Sequence, residues 1–351
     1  MKLSDYTKSL LSDIEKRIDP DTEEDYLKQW KEFWDGENED IIFTPERKKT
    51  SQSGIEIKGI HINDAIDDLE LMLMAQLAGV SRALSTKTEA LSLRANYGTG
   101  IMTSLFGAEL FVMPRETATL PTTKSFNDTD KIREIASRGI PDIKSALGQK
   151  VFDFGEMYLE AVKDYPKISK YVFMYHPDTQ GPLDIAELLW GSEMFYELYD
   201  DPDFVHEFMG IITETYKKMI DKWFLMYPPQ ELNAHWGLMM KGNVLIRDDS
   251  AVNLSPELYE EFALRYDAHL LDYYGSGAVH YCGRGDHFVE ILAKEKNLTG
   301  INLSQPELNN MEKIYEAASK NGKKIMMLPT AACRIYMEKE NPVRGMISGK
   351  I

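Results

Sequence analysis

The sequence predicts an α/β fold of the (β/α)8 TIM barrel class with an N-terminal helical extension. From residue 91 onward short apolar runs alternate with helical stretches, eight of the runs are suited to be strands, and polar residues cluster at the carboxyl ends of those runs. A chain of 351 residues with 43% hydrophobic residues is long enough to build one such domain and an extension. The order of strands and helices after residue 242 also suits a doubly wound sheet, and the polar carboxyl ends favour the barrel.

The N-terminal part of the chain is predicted to be a separate element. We expect residues 1–62 to form a helical extension with a loop, and residues 63–351 to form the barrel. Residues 4–35 have the pattern of two acidic helices, because an Asp-Pro-Asp break at residues 19–21 interrupts an otherwise helical stretch. The polar stretch 36–59 lacks a sustained period, which predicts a loop or a short hairpin.

Eight segments supply the predicted strands of the barrel. Each is a short run with apolar residues, followed by turn residues or by the start of a helix. In chain order they are SLRANY, ELFVMP, YVFMYH, NVLIRD, AVHYC, GINL, KIMML and GMISGK. The parallel strands of a barrel present their carboxyl ends to one rim, so the polar residues that end these segments are expected to form a common site.

The charge balance excludes some classes of partner. Fifty-seven acidic and forty basic residues give a net charge of -17, which repels the phosphates of nucleic acids and anionic membrane surfaces.

The first twenty residues lack the apolar core of a signal peptide, and the longest apolar-rich stretch, LELMLMAQLAGV, is too short to span a bilayer. Two cysteines are too few for a disulfide framework. We therefore expect a cytoplasmic protein that binds a small molecule and neither nucleic acid nor a membrane.

The segment GAVHYCGRGDH, residues 277–287, is the strongest candidate for a functional site. Alternate residues of a strand face the same way, so His280 and Cys282 are expected to point together into the barrel, with Tyr281 on the opposite side. An imidazole and a thiolate suit zinc, and Cys333, just past KIMML at the same rim, would complete a set of three ligands. The alternative is that Cys282 is a small core residue and that His280 bonds to a neighbouring carbonyl.

Other polar residues of the rim are candidates for contacts with a substrate. Arg247 and Asp249 of LIRDDS are expected on one side, where they could orient a substrate carboxylate or a proton, or form an ion pair that closes the barrel end. Asn96 ends SLRANY, and Gln180 of TQGPLD offers a donor and acceptors to a substrate or to its local backbone. Glu307 of SQPELNN is a fallback or fourth metal ligand, or simply an acidic residue at a helix N-terminus.

Two longer stretches carry a resemblance to a known family. They are DDSAVNLSPELYEEFALRYDAHLLDYYGSGAVHYCGRGDHFVEIL and, upstream, TQGPLDIAELLWGSEMFYELYDDPDFVHEF. With Gln-Gly-Pro, Leu-Ser-Pro-Glu and His-x-Cys-Gly in this order, the chain resembles the uroporphyrinogen decarboxylase superfamily over roughly residues 90 to 330. The superfamily includes zinc-dependent cobamide methyltransferases. The resemblance implies a (β/α)8 barrel.

Within that superfamily the motifs favour the methyltransferase branch. Decarboxylases of porphyrinogens carry Arg-Gln-Ala-Gly-Arg near the first strand, whereas this chain has LRANYGTG, in which only Arg94 could match. A substrate with several carboxylates needs several basic residues, so porphyrinogen decarboxylation is not expected. The methyltransferase branch has a His-x-Cys followed by a distant cysteine, and His280, Cys282 and Cys333 match that order. The interval before Cys333 is shorter than in that branch.

The resemblance implies a zinc-dependent methyltransferase of corrinoid metabolism. Such an enzyme moves a methyl group between a small methyl donor or thiol acceptor and a corrinoid carried by a partner protein, and its architecture is compatible with a homodimer. The expected site comprises metal ligands and residues that contact the substrate. The ligands are His280, Cys282, Cys333 and Glu307, and the contact residues are Arg94, Asn96, Gln180, Arg247 and Asp249. The alternatives are a metal-free decarboxylase-like lyase that uses Arg94, Arg247 and Asp249, and a noncatalytic tetrapyrrole-binding barrel.

Overall fold

The computed structural model describes residues 3–349. The two predicted N-terminal helices are present, and each begins at a capped position: the side chains of Ser4 and Asp19 accept hydrogen bonds from the backbone N–H groups of Thr7 and Thr22. The first four helices are α1 (Asp5–Arg17), α2 (Pro20–Asp35), α3 (Ile62–Asp67) and α4 (Leu69–Ala83).

The middle of the chain is mainly helical. Its elements are β1 (Ser92–Leu93), α5 (Ile101–Leu105), β2 (Leu110–Phe111), β3 (Thr122–Thr123), α6 (Thr129–Ser137), α7 (Ala146–Val162), α8 (Pro166–Tyr171), β4 (Phe173–Met174), α9 (Pro182–Trp190), α10 (Met194–Asp200) and α11 (Pro202–Met226). The longest of them, α11, has 25 residues. No helix within residues 3–349 combines the length and the apolar character that crossing a membrane requires.

The last third of the chain alternates strands and helices. Its elements are β5 (Asn233–His235), β6 (Leu238–Met240), β7 (Val244–Arg247), α12 (Pro256–Tyr259), α13 (Arg265–Tyr273), β8 (Gly277–Tyr281), α14 (Val289–Leu292), β9 (Leu298–Leu303), α15 (Met311–Lys320), β10 (Lys324–Leu328), α16 (Thr330–Met337) and β11 (Ile347–Gly349). This order is that of a parallel sheet whose strands are joined by crossover helices.

Two parallel sheets form the β-structure that carries the site. One has five strands in the order β11-β10-β9-β8-β7, and the other pairs β1 with β4. They adjoin where the N–H of Gly181 donates to the carbonyl of Arg247 at 2.6 Å, and where the N–H of Leu245 donates to Nε2 of His176 at 3.0 Å. The expected α/β class with a parallel sheet is confirmed. Within residues 3–349 the parallel strands pair as one group of five and one group of two. They do not pair into a closed ring of eight strands.

The prediction that ELFVMP is a barrel strand is wrong. Only Leu110 and Phe111 of this segment are in a strand, and they pair antiparallel with Thr122 and Thr123 in a short hairpin. The side chains of Phe111 and Val112 are 41% and 44% exposed. The segment has the residue types of a strand, but it pairs only with its own hairpin partner, and local composition does not reveal which strand a segment will pair with.

Apolar side chains cover both faces of the five-stranded sheet. Outward residues of the strands, among them Val279 and Tyr281, belong to the large core shared with the helices. Inward residues belong to a second cluster, which also contains the aromatic side chains of α2 and the buried hairpin β5–β6. The inward residues of β7, β8 and β10 in this cluster are Leu245, Ala278 and Met326. The concave side of the sheet is therefore filled near the amino-terminal ends of the strands.

The N-terminal segment is part of the same packed structure. Leu10, Leu11 and Ile14 of α1 are fully buried in the large core, and the indole N–H of Trp34 in α2 donates to the carbonyl of Met239 at 2.9 Å. Because α2 covers the amino-terminal ends of the strands, it lies opposite the rim at which the polar residues were expected. The division of the chain at residue 62 stays a prediction.

Candidate metal centre

Three side chains converge at the carboxyl ends of β7 and β8. Within residues 3–349, Asp249, His280 and Cys282 form a group whose potential ligand atoms all lie within 4.8 Å of one another. Nε2 of His280 is 3.3 Å from Sγ of Cys282 and 3.4 Å from Oδ1 of Asp249. The expected convergence of His280 and Cys282, with Tyr281 turned outward and fully buried, is confirmed by these positions.

The orientation of the His280 ring is fixed by a neighbouring strand. Nδ1 of His280 lies 2.5 Å from Oδ1 of Asn302 in β9, and Nδ2 of Asn302 donates to the carbonyl of Met326 at 2.7 Å. Because the amide nitrogen of Asn302 is committed to that carbonyl, its oxygen accepts from His280, and Nδ1 of His280 carries the proton. Nε2 therefore presents its lone pair towards Cys282 and Asp249, which is the form of histidine that binds a metal ion.

The protonation state of the group also suits a metal ion. Burial lowers the pKa of His280 and raises the pKa of the Cys282 thiol, so without a metal the imidazole is neutral and the thiol keeps its proton. That proton can lie between Sγ and Nε2 across the 3.3 Å contact. A divalent cation in its place would bind the thiolate, the imidazole and the carboxylate together, which are the ligand types that zinc takes in proteins.

A buried carboxylate holds the segment that carries Asp249. The backbone N–H groups of Asp249 and Ser250 donate to Asp184 at 3.0 and 2.6 Å, and the side-chain amide of Gln180 donates to the same carboxylate at 2.8 Å. Oδ1 of Asp249 in turn accepts the N–H of Cys282 at 2.7 Å. Burial, with the charge of Asp249, raises the pKa of Asp184 to about 7. Gln180, expected to contact a substrate, is buried in this network, where its amide orients Asp184.

Two arginines share one carboxylate beside the candidate metal ligands. Arg94 forms an ion pair with Asp178, and Nη1 of Arg247 lies 3.5 Å from the same carboxylate. The side chains of both arginines are 17% exposed, whereas that of Asp178 is 2% exposed. The buried Oδ1 of Asn96 has no hydrogen-bond partner in the described part of the chain. This arrangement contains the internal ion pair that was one interpretation of Arg247, although its partner is Asp178 and not Asp249.

Trp236 contacts both Arg247 and His280. It forms, with Gly237, the two-residue turn of the β5–β6 hairpin, and the φ angles of the two residues are +46° and +80°. Its ring meets the His280 imidazole edge to face at 4.9 Å between centroids, and Cζ of Arg247 lies 5.1 Å from the ring centroid. A left-handed backbone costs a residue other than glycine about 1–2 kcal/mol, so the fold maintains this position at an energetic cost.

A cavity of about 730 Å³ opens beside these residues. Arg94, Asn96 and Trp236 contribute to its wall, together with α4 and residues 52–60 of the N-terminal segment. The carbonyl of Gly237 accepts the N–H of Ala90 at 2.7 Å, which anchors the hairpin turn to the chain just before β1. A cavity of this size accommodates a small organic substrate.

The geometry does not bring Cys333 and Glu307 to the metal ligands. Cys333 is fully buried in α16, and its thiol donates to the carbonyl of Leu328 at 3.2 Å. Its sulfur is packed so closely against β11 that a Cβ atom on Gly349 would lie 2.3 Å from it. Glu307 is exposed in a single helical turn, Pro306–Leu308, as its alternative interpretation predicts. Asp249 occupies the third position of the group, and a ligand role for Cys333 or Glu307 stays a prediction.

Comparison with known proteins adds evidence on the fold. No protein-family model and no curated protein matches the chain. Among solved structures, the chain matches a methyltransferase from Methanosarcina mazei with a TM-score of 0.59 and 13% sequence identity, over 91% of this chain and 90% of that chain. The two proteins share a fold. At this level of identity the likeness concerns the architecture alone, and the chemistry has to be argued from the site.

Four residues of the candidate site had no clear signal in the sequence. Asp178 and Asp184 follow β4 and were not distinguishable from ordinary loop acids, because their partners are distant in the chain. Trp236 was missed because a Trp-Gly pair is not a recognised signal for a two-residue hairpin turn, for which Asn-Gly or Asp-Gly is typical. Asn302 ends a predicted strand, and only its pairing opposite His280 in β8 and β9 reveals its role.

Proposed function

We propose that this protein is a zinc-dependent methyltransferase of corrinoid metabolism, in which Asp249, His280 and Cys282 hold the metal ion. The observation that carries the proposal is the convergence of three different ligand atoms within 4.8 Å at the carboxyl ends of β7 and β8. The rim at the carboxyl ends of the strands is where enzymes of the barrel class assemble their sites. Methyl transfer is also compatible with the architecture, because the chain shares its fold with a methyltransferase from Methanosarcina mazei.

The ligand set suits an ion that binds a substrate atom. One thiolate and one carboxylate balance the charge of a divalent cation, the neutral imidazole completes three protein ligands, and a tetrahedral ion keeps a fourth position for substrate. A zinc ion bound there supplies Lewis acidity, which lowers the pKa of a substrate thiol or polarises a methoxy or methylamine donor. Asn302 keeps Nε2 of His280 available for binding. Asp184 keeps Asp249 beside the other two ligands.

The transfer itself requires two partners besides the metal. A thiol that accepts the methyl group would lose its proton to solvent, and a new sulfur–carbon bond would form as the bond between methyl and cobalt breaks, with the electron pair remaining on the corrinoid. In the opposite direction, the bond between the methyl group and the oxygen or nitrogen of a small donor would break, the methyl group would pass to the reduced corrinoid, and the demethylated donor would leave after taking up a proton. We propose that a separate carrier protein presents the corrinoid at the rim of the strands.

We also propose that the protein is cytoplasmic and that it binds neither nucleic acid nor a membrane. A homodimer is compatible with this proposal.

We further propose that the seven parallel strands form an incomplete (β/α)8 barrel, whose interior the hairpin β5–β6 helps to fill. The hairpin is buried between β1, β4 and the inward residues of β7 and β8. Its turn reaches the site through Trp236.

A metal-free lyase remains the second candidate, because of the two arginines. Arg94 and Arg247 bring two positive charges to the single carboxylate of Asp178, which leaves a net positive charge for a substrate carboxylate. Asp249 would then act as an acid. This candidate predicts decarboxylation of a small carboxylated substrate that does not depend on a metal ion.

The test compares the protein stripped of metal with the protein supplied with one equivalent of zinc. Methylcobalamin and a small thiol serve as probes, and the loss of the methyl–cobalt absorbance and the appearance of the thioether are followed. We expect transfer to require zinc and to fall about 100-fold or more in Cys282→Ser, with Cys333→Ser as the matched thiol control. Absence of transfer with zinc present, or equal transfer without it, would contradict the proposal. Metal-independent release of carbon dioxide from a small carboxylated substrate would favour the lyase.

A further inference from the structure

We infer that Trp236 is a positioning residue of the metal centre, and that it also determines which substrates reach the metal. The inference rests on the proposed function above. Trp236 has a left-handed backbone conformation, which is unfavourable for a residue other than glycine. The β5–β6 hairpin pairs His235 with Leu238, so Trp236 and Gly237 alone form the turn, with φ angles of +46° and +80°.

The turn itself does not explain the presence of tryptophan. Two-residue turns with both φ angles positive are typically formed by Asn-Gly, Asp-Gly or Gly-Gly, because asparagine, aspartate and glycine adopt the left-handed conformation readily. Gly237 follows this rule and Trp236 departs from it. Residues held in disfavoured backbone conformations cluster at functional sites, where the surrounding structure maintains them. The contacts of the Trp236 side chain therefore explain why tryptophan occupies this position.

The indole contacts both halves of the site. Its ring meets the imidazole of His280 edge to face, with 4.9 Å between centroids and 78° between planes. Cζ of Arg247 lies 5.1 Å from the indole centroid, in the position of a cation–π contact. His280 and Arg247 are paired residues of β8 and β7, and their side chains both reach the concave side of the sheet. The indole thus contacts a cationic side chain and a proposed metal ligand at the same time.

This position has a clear electrostatic consequence. With the indole present, the guanidinium of Arg247 remains beside Asp178, 3.5 Å from its carboxylate. Without the indole, the guanidinium could move towards His280, where its positive charge would oppose the binding of a cation. The edge-to-face contact also limits rotation of the imidazole, whose other side is held by Asn302. Trp236 therefore acts on the metal through His280 and Arg247.

The indole also faces the substrate cavity. Trp236 lines the cavity of about 730 Å³ together with Arg94 and Asn96, so one side chain is shared by the cavity wall and by the contact with His280. Because Trp236 lines the cavity and also contacts His280, the inferred path of a substrate from the cavity to the metal runs past the indole. The ring offers an apolar surface suited to a methyl group or a narrow aliphatic thiol, and a bulky or branched thiol would collide with it. Substrate selection at this point is by size.

The test uses two variants that separate the ring from the backbone. Trp236→Asn removes the indole and places a residue favoured by the turn, so the hairpin is expected to fold. Trp236→Phe keeps an aromatic ring. Zinc affinity is measured by competition with a chromophoric chelator, and ligand geometry by the visible absorption of the Co²⁺-substituted protein. We expect Trp236→Asn to bind zinc about 10–100-fold more weakly, with a changed Co²⁺ spectrum, and Trp236→Phe to remain close to the original protein.

Substrate choice provides a second measurement. The ratio of kcat/KM for a narrow thiol over a branched thiol is expected to fall at least about tenfold in Trp236→Asn and to be largely restored in Trp236→Phe. Unchanged zinc affinity, spectrum and ratio in a folded Trp236→Asn protein would overturn the inference while leaving the proposed function intact. If the original protein binds no zinc, the proposed function fails, and the inference fails with it. Thermal unfolding of each variant separates these effects from loss of structure.

Discussion

Nδ1 of His280 donates a hydrogen bond to Oδ1 of Asn302, and the amide nitrogen of Asn302 is itself bonded to the carbonyl of Met326. This chain of contacts fixes which nitrogen of His280 is free to bind a metal ion. Asn302→Ala leaves every proposed ligand in place but removes that constraint. We expect zinc affinity to fall about 10–100-fold, measured by chelator competition.

A control for Asn302→Ala is available in the same half of the chain. Asn321→Ala removes an asparagine whose amide donates to the carbonyl of Ala317 at the end of α15, away from the site. Zinc affinity in that variant is expected to remain unchanged. Equal zinc affinity in Asn302→Ala and Asn321→Ala would mean that the orientation of His280 does not depend on Asn302.

The sequence was most informative where a local rule determines the geometry. Alternation along β8 places His280 and Cys282 on one side and Tyr281 on the other, because successive residues of any strand face opposite ways. The same rule holds for Arg247, whose side chain reaches the concave side of the sheet. Helix caps are equally local, and Ser4 caps the first helix as its sequence context predicts.

The sequence was least informative where packing between distant elements determines the position of a side chain. Cys333 follows a strand that ends at the correct rim, but its direction depends on how α16 packs against β11, and it faces that strand instead of the site. Asp249 was expected to contact a substrate, and its position beside Cys282 depends on hydrogen bonds to Asp184 from a different part of the chain. Such long-range pairings have no periodic signal.

The buried ion pair between Glu23 and Arg47 is expected to contribute strongly to stability. Its two hydrogen bonds measure 2.6 and 2.9 Å, and both side chains are almost completely buried. Removing one partner leaves an uncompensated buried charge, so Glu23→Ala should lower the free energy of unfolding by about 3–5 kcal/mol. The exposed pair of Glu46 and Lys87 provides the control, and Glu46→Ala should cost less than about 1 kcal/mol.

The same measurement tests whether the N-terminal segment belongs to the same folding unit as the rest of the chain. Arg47 also donates to the carbonyls of Ala83, Thr86 and Glu89, which lie beyond the predicted boundary at residue 62. We therefore expect urea unfolding to show one cooperative transition that moves as a whole in Glu23→Ala. A separate early transition in Glu23→Ala, with the main transition unmoved, would show that the segment unfolds independently.

The buried carboxyl group of Asp267 is expected to make stability depend on pH. Burial, with a contribution from the charge of Asp184, raises the pKa of Asp267 to about 8, whereas an aspartate in an unfolded chain has a pKa of about 3.9. Between these values the folded protein retains a proton that the unfolded chain has released. The free energy of unfolding therefore falls as the pH rises from about 4 to about 8.

Asp267→Asn replaces the titrating carboxyl group by an amide, which does not take up or release this proton. The variant is expected to be more stable than the original protein at pH 8.5, by roughly 1–3 kcal/mol, with a difference that shrinks towards pH 5. Thermal unfolding at several pH values measures this, and Asp200→Asn, at an exposed position of α10, is the control. A difference that stays constant from pH 5 to pH 8.5 would mean that Asp267 does not titrate in this range.

The central claim is that Asp249, His280 and Cys282 hold one zinc ion, and the content of bound zinc tests it most directly. The original protein and three variants, Cys282→Ser, Asp249→Ala and Cys333→Ser, are purified without added metal and analysed for bound elements. We expect about one zinc per chain in the original protein and in Cys333→Ser, and strong loss of zinc in Cys282→Ser and Asp249→Ala. No zinc in the original protein, or loss in Cys333→Ser with full retention in Asp249→Ala, would contradict this assignment.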